Sequence, residues 1–302
     1  MIGKILYSIN ANLGKIFFNN PNTLYYNIFN NLHLSLIANK NIKDNEIMQK
    51  YLQDGFFKTN INSTEFCHQI NSMIEKQSVE PNISFHRFQI DDEMKEKIRN
   101  HINIKFSPIL KGMEKFYNSR IAVANIKIQR NFHINEKIDK DKEVYSENYH
   151  ADAYVYNHFK LFINLTDVTI DQGPLHIYSK KSTKKFMKVN KYKDRNNYHN
   201  SELQDQLFCN TGKIGESLIA NTTECVHKAG FVKKGFERDI LFVTFITIPE
   251  LDTNIENNFF YYENKYPDAI WNNGNEVLKI AKPQSLKKTI KLFFQYFKHK
   301  LN

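Results

Sequence analysis

The sequence predicts an α+β chain in which a helical N-terminal third packs on a β-rich core. Three observations predict it. Apolar residues recur at helical spacing through residues 1–118, short alternating runs divided by turn residues fill 119–250, and a basic amphipathic stretch closes 251–302. At 302 residues the chain is long enough to bury a full core, and 41% hydrophobic with 25% charged residues is ordinary for a globular protein.

Ile2, Ile5, Leu6, Ile9, Leu13, Ile16 and Phe17 share a helical face, and Pro21 stops that segment. Further helices are expected over 42–54 and 64–76. Ile83–Ile90 alternates like a strand, and 91–117 returns to helical spacing with an interruption near Pro108. From Ser119 on, strands are expected over 121–132, 149–156, 160–165, 175–178, 216–221 and 240–248. Asp171-Gln172-Gly173-Pro174 and Gly212-Lys213-Ile214-Gly215 are turns. Such a succession of short strands suggests an all-β sandwich or barrel.

Residues 176–211 carry many lysines and are expected to form a long lid loop between two core strands. Its charges would suit an anionic substrate. Residues 284–301 form a basic amphipathic helix, with Leu286, Ile290, Phe293, Phe297 and Leu301 on one face. That face either docks on the core or holds the protein peripherally on an anionic membrane.

The formal charge of +10 is uneven, because seven lysines and no acid fall between Lys279 and Asn302. A local basic tail argues against a nucleic-acid-binding body. Cys67, Cys209 and Cys225 are scattered and odd in number, with no disulfide framework or zinc pattern, so a reducing cytoplasm is the expected compartment. The N-terminus is a poor secretory signal, and no stretch approaches the roughly 20 apolar residues of a membrane span.

The chemistry concentrates in His150-Ala151-Asp152, the only His-x-Asp in the sequence. On a strand, residues i and i+2 face the same way, so an imidazole and a carboxylate can grip one ion together. A second histidine would complete the 2-His-1-carboxylate set that holds non-heme Fe(II). Downstream come Asp171-Gln172-Gly173-Pro174-Leu175, Gly215-Glu216, then Glu224-Cys225-Val226-His227, and Arg238 eleven residues after His227.

This ordered set resembles the phytanoyl-CoA dioxygenase family of Fe(II)/2-oxoglutarate-dependent oxygenases, over roughly residues 120–248. The resemblance implies a double-stranded β-helix core (jelly-roll, cupin-like) flanked by helices. It implies iron held by His150, Asp152 and His227, and 2-oxoglutarate held through its far carboxylate by Arg238, whose planar fork suits that task better than lysine. It implies hydroxylation of a small anionic metabolite (acyl-CoA, sugar- or lipid-linked) by O2, with release of succinate and CO2. Asp152 stands where related halogenases carry a small residue, which favours hydroxylation. Phe162 falls where the family often has an aromatic beside 2-oxoglutarate, and Lys127 and Gln129 share one face of the preceding strand. Ala229, two after His227, departs from relatives that can offer a hydroxyl there. Two other readings of the same residues stay open: a non-catalytic cupin-like module that binds an anion, and a zinc-dependent hydrolase.

Overall fold

The computed structural model describes residues 46–59, 61–80, 83–117, 119–135, 137, 143–152, 158–190 and 206–249. The expected first helix at 2–17, the C-terminal extension 251–302 and its basic helix 284–301 lie outside the described residues.

Among the described residues two antiparallel sheets dominate. The larger has six strands in the order β1-β7-β4-β9-β3-β2, and the smaller has three in the order β6-β5-β8. The strands are β1 Phe56–Thr59, β2 Phe85–Arg87, β3 Ser119–Asn131, β4 His158–Asn164, β5 Leu175–Tyr178, β6 Leu207–Cys209, β7 Ser217–Ala220, β8 His227–Ala229 and β9 Arg238–Pro249. The helices are α1 Glu46–Asp54, α2 Thr64–Ile74, α3 Asp92–His101, α4 Ser107–Tyr117 and α5 Lys180–Val189.

Period-2 alternation sorts the large sheet into two faces. Phe159, Leu161 and Ile163 of β4 and Leu241, Val243 and Phe245 of β9 pack with Ile128 of β3 against α1–α4 in one apolar cluster. A bulge between Val123 and Asn125 shifts the register, so that Val123 stays on the same face as Ile126 and Ile128 despite their odd spacing. The opposite face meets the small sheet, where Phe56, Phe162, Leu218 and Ile240 pack on Leu175 and Ile177. Beyond the small sheet, Phe186 and Met187 of α5 pack on Tyr178, Tyr149 and Val226.

The helices follow from local chemistry. Asp91 caps α3 by accepting the Met94 N–H at 2.8 Å, and Asp92 and Glu93 sit at the positive end of the helix dipole. α2 buries Phe66, Cys67, Ile70 and Ile74, a stripe at helical spacing. The interruption expected near Pro108 takes the form of a π-helical turn, Ile102–Phe106, that links α3 to α4. Proline has no N–H to give and its ring crowds the carbonyl four residues back, so the widened turn relieves the ladder there.

Three expectations need correction. The lid loop 176–211 contains α5, whose buried face is Ser182, Thr183, Phe186 and Met187; Lys181, Lys184, Lys185 and Lys188 form its solvated face. The strand expected over 149–156 is reduced, in its described part, to one bridge between His150 and His227. β1 lies within a stretch expected to be helical, because Gly55 ends α1 with φ of 82° and turns the chain onto the sheet edge beside β7. A Cβ at Gly55 would lie 2.3 Å from the Cys225 sulfur, so the close approach also requires glycine.

Candidate metal centre

The His150–His227 bridge brings the two halves of the site together. Each backbone N–H donates to the other residue's carbonyl, at 2.9 and 2.8 Å, and the Asp152 N–H donates to Thr222 O at 2.8 Å. The Gly173-Pro174 turn fixes the far end of β8. Gly173 has φ of 66°, Pro174 O accepts the Gly230 N–H at 2.8 Å, and a Cβ on Gly173 would lie 2.5 Å from Gly230 O.

This backbone frame places one donor atom each from His150, Asp152 and His227 within 4.8 Å of one another. His150 Nε2 is 3.6 Å from Asp152 Oδ1, and His227 Nε2 is 3.9 Å from Asp152 Oδ2. Both imidazoles bond a backbone carbonyl through Nδ1, His150 to Asn148 O at 2.8 Å and His227 to Cys225 O at 3.0 Å. A carbonyl can only accept, so Nδ1 carries the proton and Nε2 presents its lone pair to the shared space. Burial pushes the His227 imidazole down to about 3, against the pull of Asp152, so it is neutral near pH 7 and fit to ligate. Two imidazoles and a carboxylate on one side of a cavity fit a divalent first-row metal ion.

The cavity has a volume of about 190 Å³ and lies between the two sheets. His150, Asp152, His227, Arg238, Phe162, Gln129 and Lys127 all line it. Arg238 is 3% exposed, and its Nε and Nη1 have no hydrogen-bond partner. Burial lowers its guanidinium to about 10, still well above neutral pH, with Tyr145 opposing the shift. A buried charged fork with unused donors is costly unless an anion meets it. Phe162 packs 6.1 Å from Phe242, and Gln129 donates to Asn131 Oδ1 at 2.5 Å.

Several lining residues were missed by sequence reasoning. Lys160 Nζ lies 2.6 Å from Asp152 Oδ2, with both side chains largely buried. It shares strand parity with Phe162, a signal that was available. Arg87 of β2 pairs in register with Gln129 of β3, which no local pattern reveals. Ser146 lines the cavity with φ of 65°, a left-handed conformation unusual for a non-glycine residue. The lysines of α5 are not among the lining residues.

A wider cleft of about 490 Å³ lies on the outside of the helices, beside Ser63 and His101. Those two are 2.8 Å apart, but Ser63 is 1% exposed and His101 stacks on Phe66 at 3.9 Å. The pair ties α2 to α3 rather than presenting a nucleophile.

No protein-family model and no curated protein matches this sequence. Solved structures do show similarity. HygX from Streptomyces hygroscopicus, with nickel and 2-oxoglutarate bound, is 11% identical with a TM-score of 0.46, over 67% of this chain and 86% of its own. The non-heme alpha-ketoglutarate-dependent epimerase SnoN from nogalamycin biosynthesis is 12% identical with a TM-score of 0.42, over 66% of this chain and 80% of its own. The non-heme monooxygenase ThoJ, as its nickel complex, is 12% identical with a TM-score of 0.43, over 85% of this chain and 99% of its own. At these values the roles of individual side chains rest on the geometry above.

Proposed function

We propose that this chain is an Fe(II)/2-oxoglutarate-dependent oxygenase of the phytanoyl-CoA dioxygenase type, built on a double-stranded β-helix, that hydroxylates a small anionic metabolite. The observation that carries the reading is the conjunction, on one cavity, of the three-donor face and the buried fork of Arg238, whose Nε and Nη1 have no hydrogen-bond partner. His150, Asp152 and His227 would hold the iron. Arg238 would take the far carboxylate of 2-oxoglutarate by a two-pronged, charge-assisted contact. Phe162, Gln129 and Lys127 line the wall along which the co-substrate would lie.

When bound, iron and 2-oxoglutarate supply the O2 chemistry, in which substrate C–H, 2-oxoglutarate and O2 become substrate C–OH, succinate and CO2. The chain's own work is positioning. The carbonyls of Asn148 and Cys225 fix both imidazole tautomers, and the apolar walls from Leu175, Ile240 and Phe242 limit water around the reacting groups. Among the described residues no helix is long and apolar enough to cross a membrane. A cytoplasmic enzyme, with peripheral membrane contact through 284–301, accords with the basic tail.

The test is succinate formation from 2-oxoglutarate with Fe(II), ascorbate and O2, including turnover without substrate. Absence of both 2-oxoglutarate binding and decarboxylation would end the reading. One alternative draws on a specific contact: Lys160 neutralises Asp152 as a metal ion would, which suits a non-catalytic module that binds an anion. A Mn(II) titration separates the two, because only the oxygenase takes the ion.

A further inference from the structure

The Asp152 carboxylate stands between two imidazoles and offers each a different oxygen. His150 Nε2 lies 3.6 Å from Oδ1, and His227 Nε2 lies 3.9 Å from Oδ2. A metal ion held by this set could therefore meet one carboxylate oxygen or both. The difference matters chemically. Three single donors on one face of an octahedral ion leave the opposite three positions open, two for the 2-oxo acid end of 2-oxoglutarate and one for O2. A carboxylate that binds through both oxygens takes one of those positions away.

Lys160 distinguishes the two oxygens. Its Nζ lies 2.6 Å from Oδ2, and the side chains of Lys160 and Asp152 are only 12% and 10% exposed. Charge-assisted contacts of this kind are the strong ones, and poor access to water strengthens them. The donor also stands on rigid backbone. β4 is an inner strand of the large sheet, with Lys160 in register with Ala220 of β7 on one side and Thr244 of β9 on the other. Asp152 lies outside the strands, its N–H donating to Thr222 O at 2.8 Å. The strand thus fixes the ammonium, and the ammonium orients the carboxylate. A divalent ion at Oδ2 would share that oxygen with the ammonium, and the two positive charges repel. The same ion at Oδ1, next to His150, meets less of that repulsion.

We propose that Lys160 is a positioning residue for the metal: by holding Oδ2 it confines Asp152 to one ligating oxygen, Oδ1, and keeps a position on the ion open for O2. The proposal rests on the oxygenase reading of the same cavity and adds a residue to it. Lys160 acts through Asp152 and needs no contact with substrate or 2-oxoglutarate.

The experiment uses the full-length protein loaded with Mn(II) under anaerobic conditions. Waters on the ion are counted by water-proton relaxation, before and after saturation with 2-oxoglutarate. The parent should hold about three waters, falling to about one with 2-oxoglutarate. Lys160→Met should hold about two, falling to none, because Oδ2 joins the ion once the ammonium is gone. Its Mn(II) affinity by calorimetry should rise several-fold, since a ligand oxygen is added and a neighbouring positive charge removed. Lys160→Arg keeps a charged donor and should retain the parent's counts. A lysine that merely supported the fold would not move the water count. Cooperative melts recorded with Mn(II) confine the comparison to folded protein. The parent's own count keeps the test open should the Met variant not fold. Two waters on the parent, three on the Met variant, or a count in the Arg variant as low as in the Met variant would each overturn the positioning role and leave the oxygenase reading in place. Mn(II) binding by the Met variant but not by the parent would make Lys160 the occupant of the metal's place, and both would fall. Should the water counts come out as expected while 2-oxoglutarate binds neither protein, the oxygenase reading falls and the hold of Lys160 on Asp152 stands.

Discussion

The two faces of the large sheet are made by the same strands and could hardly differ more. Residues 159, 161 and 163 of β4 and 241, 243 and 245 of β9 meet the helices as Phe, Leu, Ile, Leu, Val and Phe, all essentially buried. One step along each strand, Lys160, Phe162, Arg238 and Phe242 meet the cavity. The first face gains free energy from burial, at about 1.5–3 kcal/mol for each large apolar side chain. The second loses it, because the Arg238 guanidinium is held out of water with two unused donors. The contrast teaches that stability and chemistry are separated here by a single residue of register, so substitutions on the two faces should fail in different assays.

The largest expected effect breaks the chemical face alone. Asp152→Ala should reduce Fe(II)-dependent succinate formation to the level of the metal-free protein, with a cooperative melt retained. Turnover that survives would remove Asp152 from the metal and weaken the whole assignment. Next comes the structural face. Phe159 is fully buried, stacks on Phe245 at 5.1 Å and meets Tyr51 edge-on at 6.4 Å. Phe159→Ala should cost about 3–5 kcal/mol by urea denaturation, with 2-oxoglutarate affinity per folded molecule unchanged. A binding defect in the folded fraction would show that the faces are coupled.

Arg238→Met sharpens the contrast, since it should move two observables in opposite directions. Loss of the fork should weaken 2-oxoglutarate binding by about 2–5 kcal/mol in calorimetry. The unliganded protein should be as stable as the parent or more so, because a desolvated charge with two unused donors is replaced by an apolar chain. A variant that loses stability without losing affinity would make Arg238 a structural residue.

How far the sequence anticipates this division depends on the range of the signal. Alternation within a strand is local, so β4, β5 and β9 and the shared face of Lys127 and Gln129 are legible, as is the His150, Asp152 and His227 set once ordered motifs are compared. Contacts between strands are not local. Arg87 reaches the cavity only through its register with Gln129, and the contact of Asp152 with Lys160, eight residues on, follows from no period of the sequence. β1 is hidden because four residues, Phe56-Phe57-Lys58-Thr59, are too few to show a period, and the sheet edge decides their form. α5 is hidden by its lysines, and half of its buried face is the polar pair Ser182 and Thr183. Thr183 Oγ1 earns its burial by accepting the Val226 N–H at 2.9 Å, a bond visible only in three dimensions.

The smallest predicted effect lies in the helical layer and concerns pH. Burial, with the Lys105 charge adding, pushes His101 down to about 4. In the unfolded chain the same imidazole takes a proton near pH 6.5. Between those values the unfolded state binds a proton that the folded state does not, so stability is full above about pH 6.5 and falls as pH drops toward 4. His101→Gln keeps a partner for Ser63 Oγ, which bonds His101 Nε2 at 2.8 Å, but cannot titrate. It should flatten the acid limb of a urea-stability profile by at most about 1.4 kcal/mol per pH unit. Parent and variant are best compared without metal, so that no ion shifts the titrating groups of the cavity. An unchanged slope would mean that His101 gains its proton in the folded state as readily as in water. The stacking on Phe66 and the bond to Ser63 would then fail to exclude water from the helical face, and the dry half of the comparison would be less dry than its packing implies.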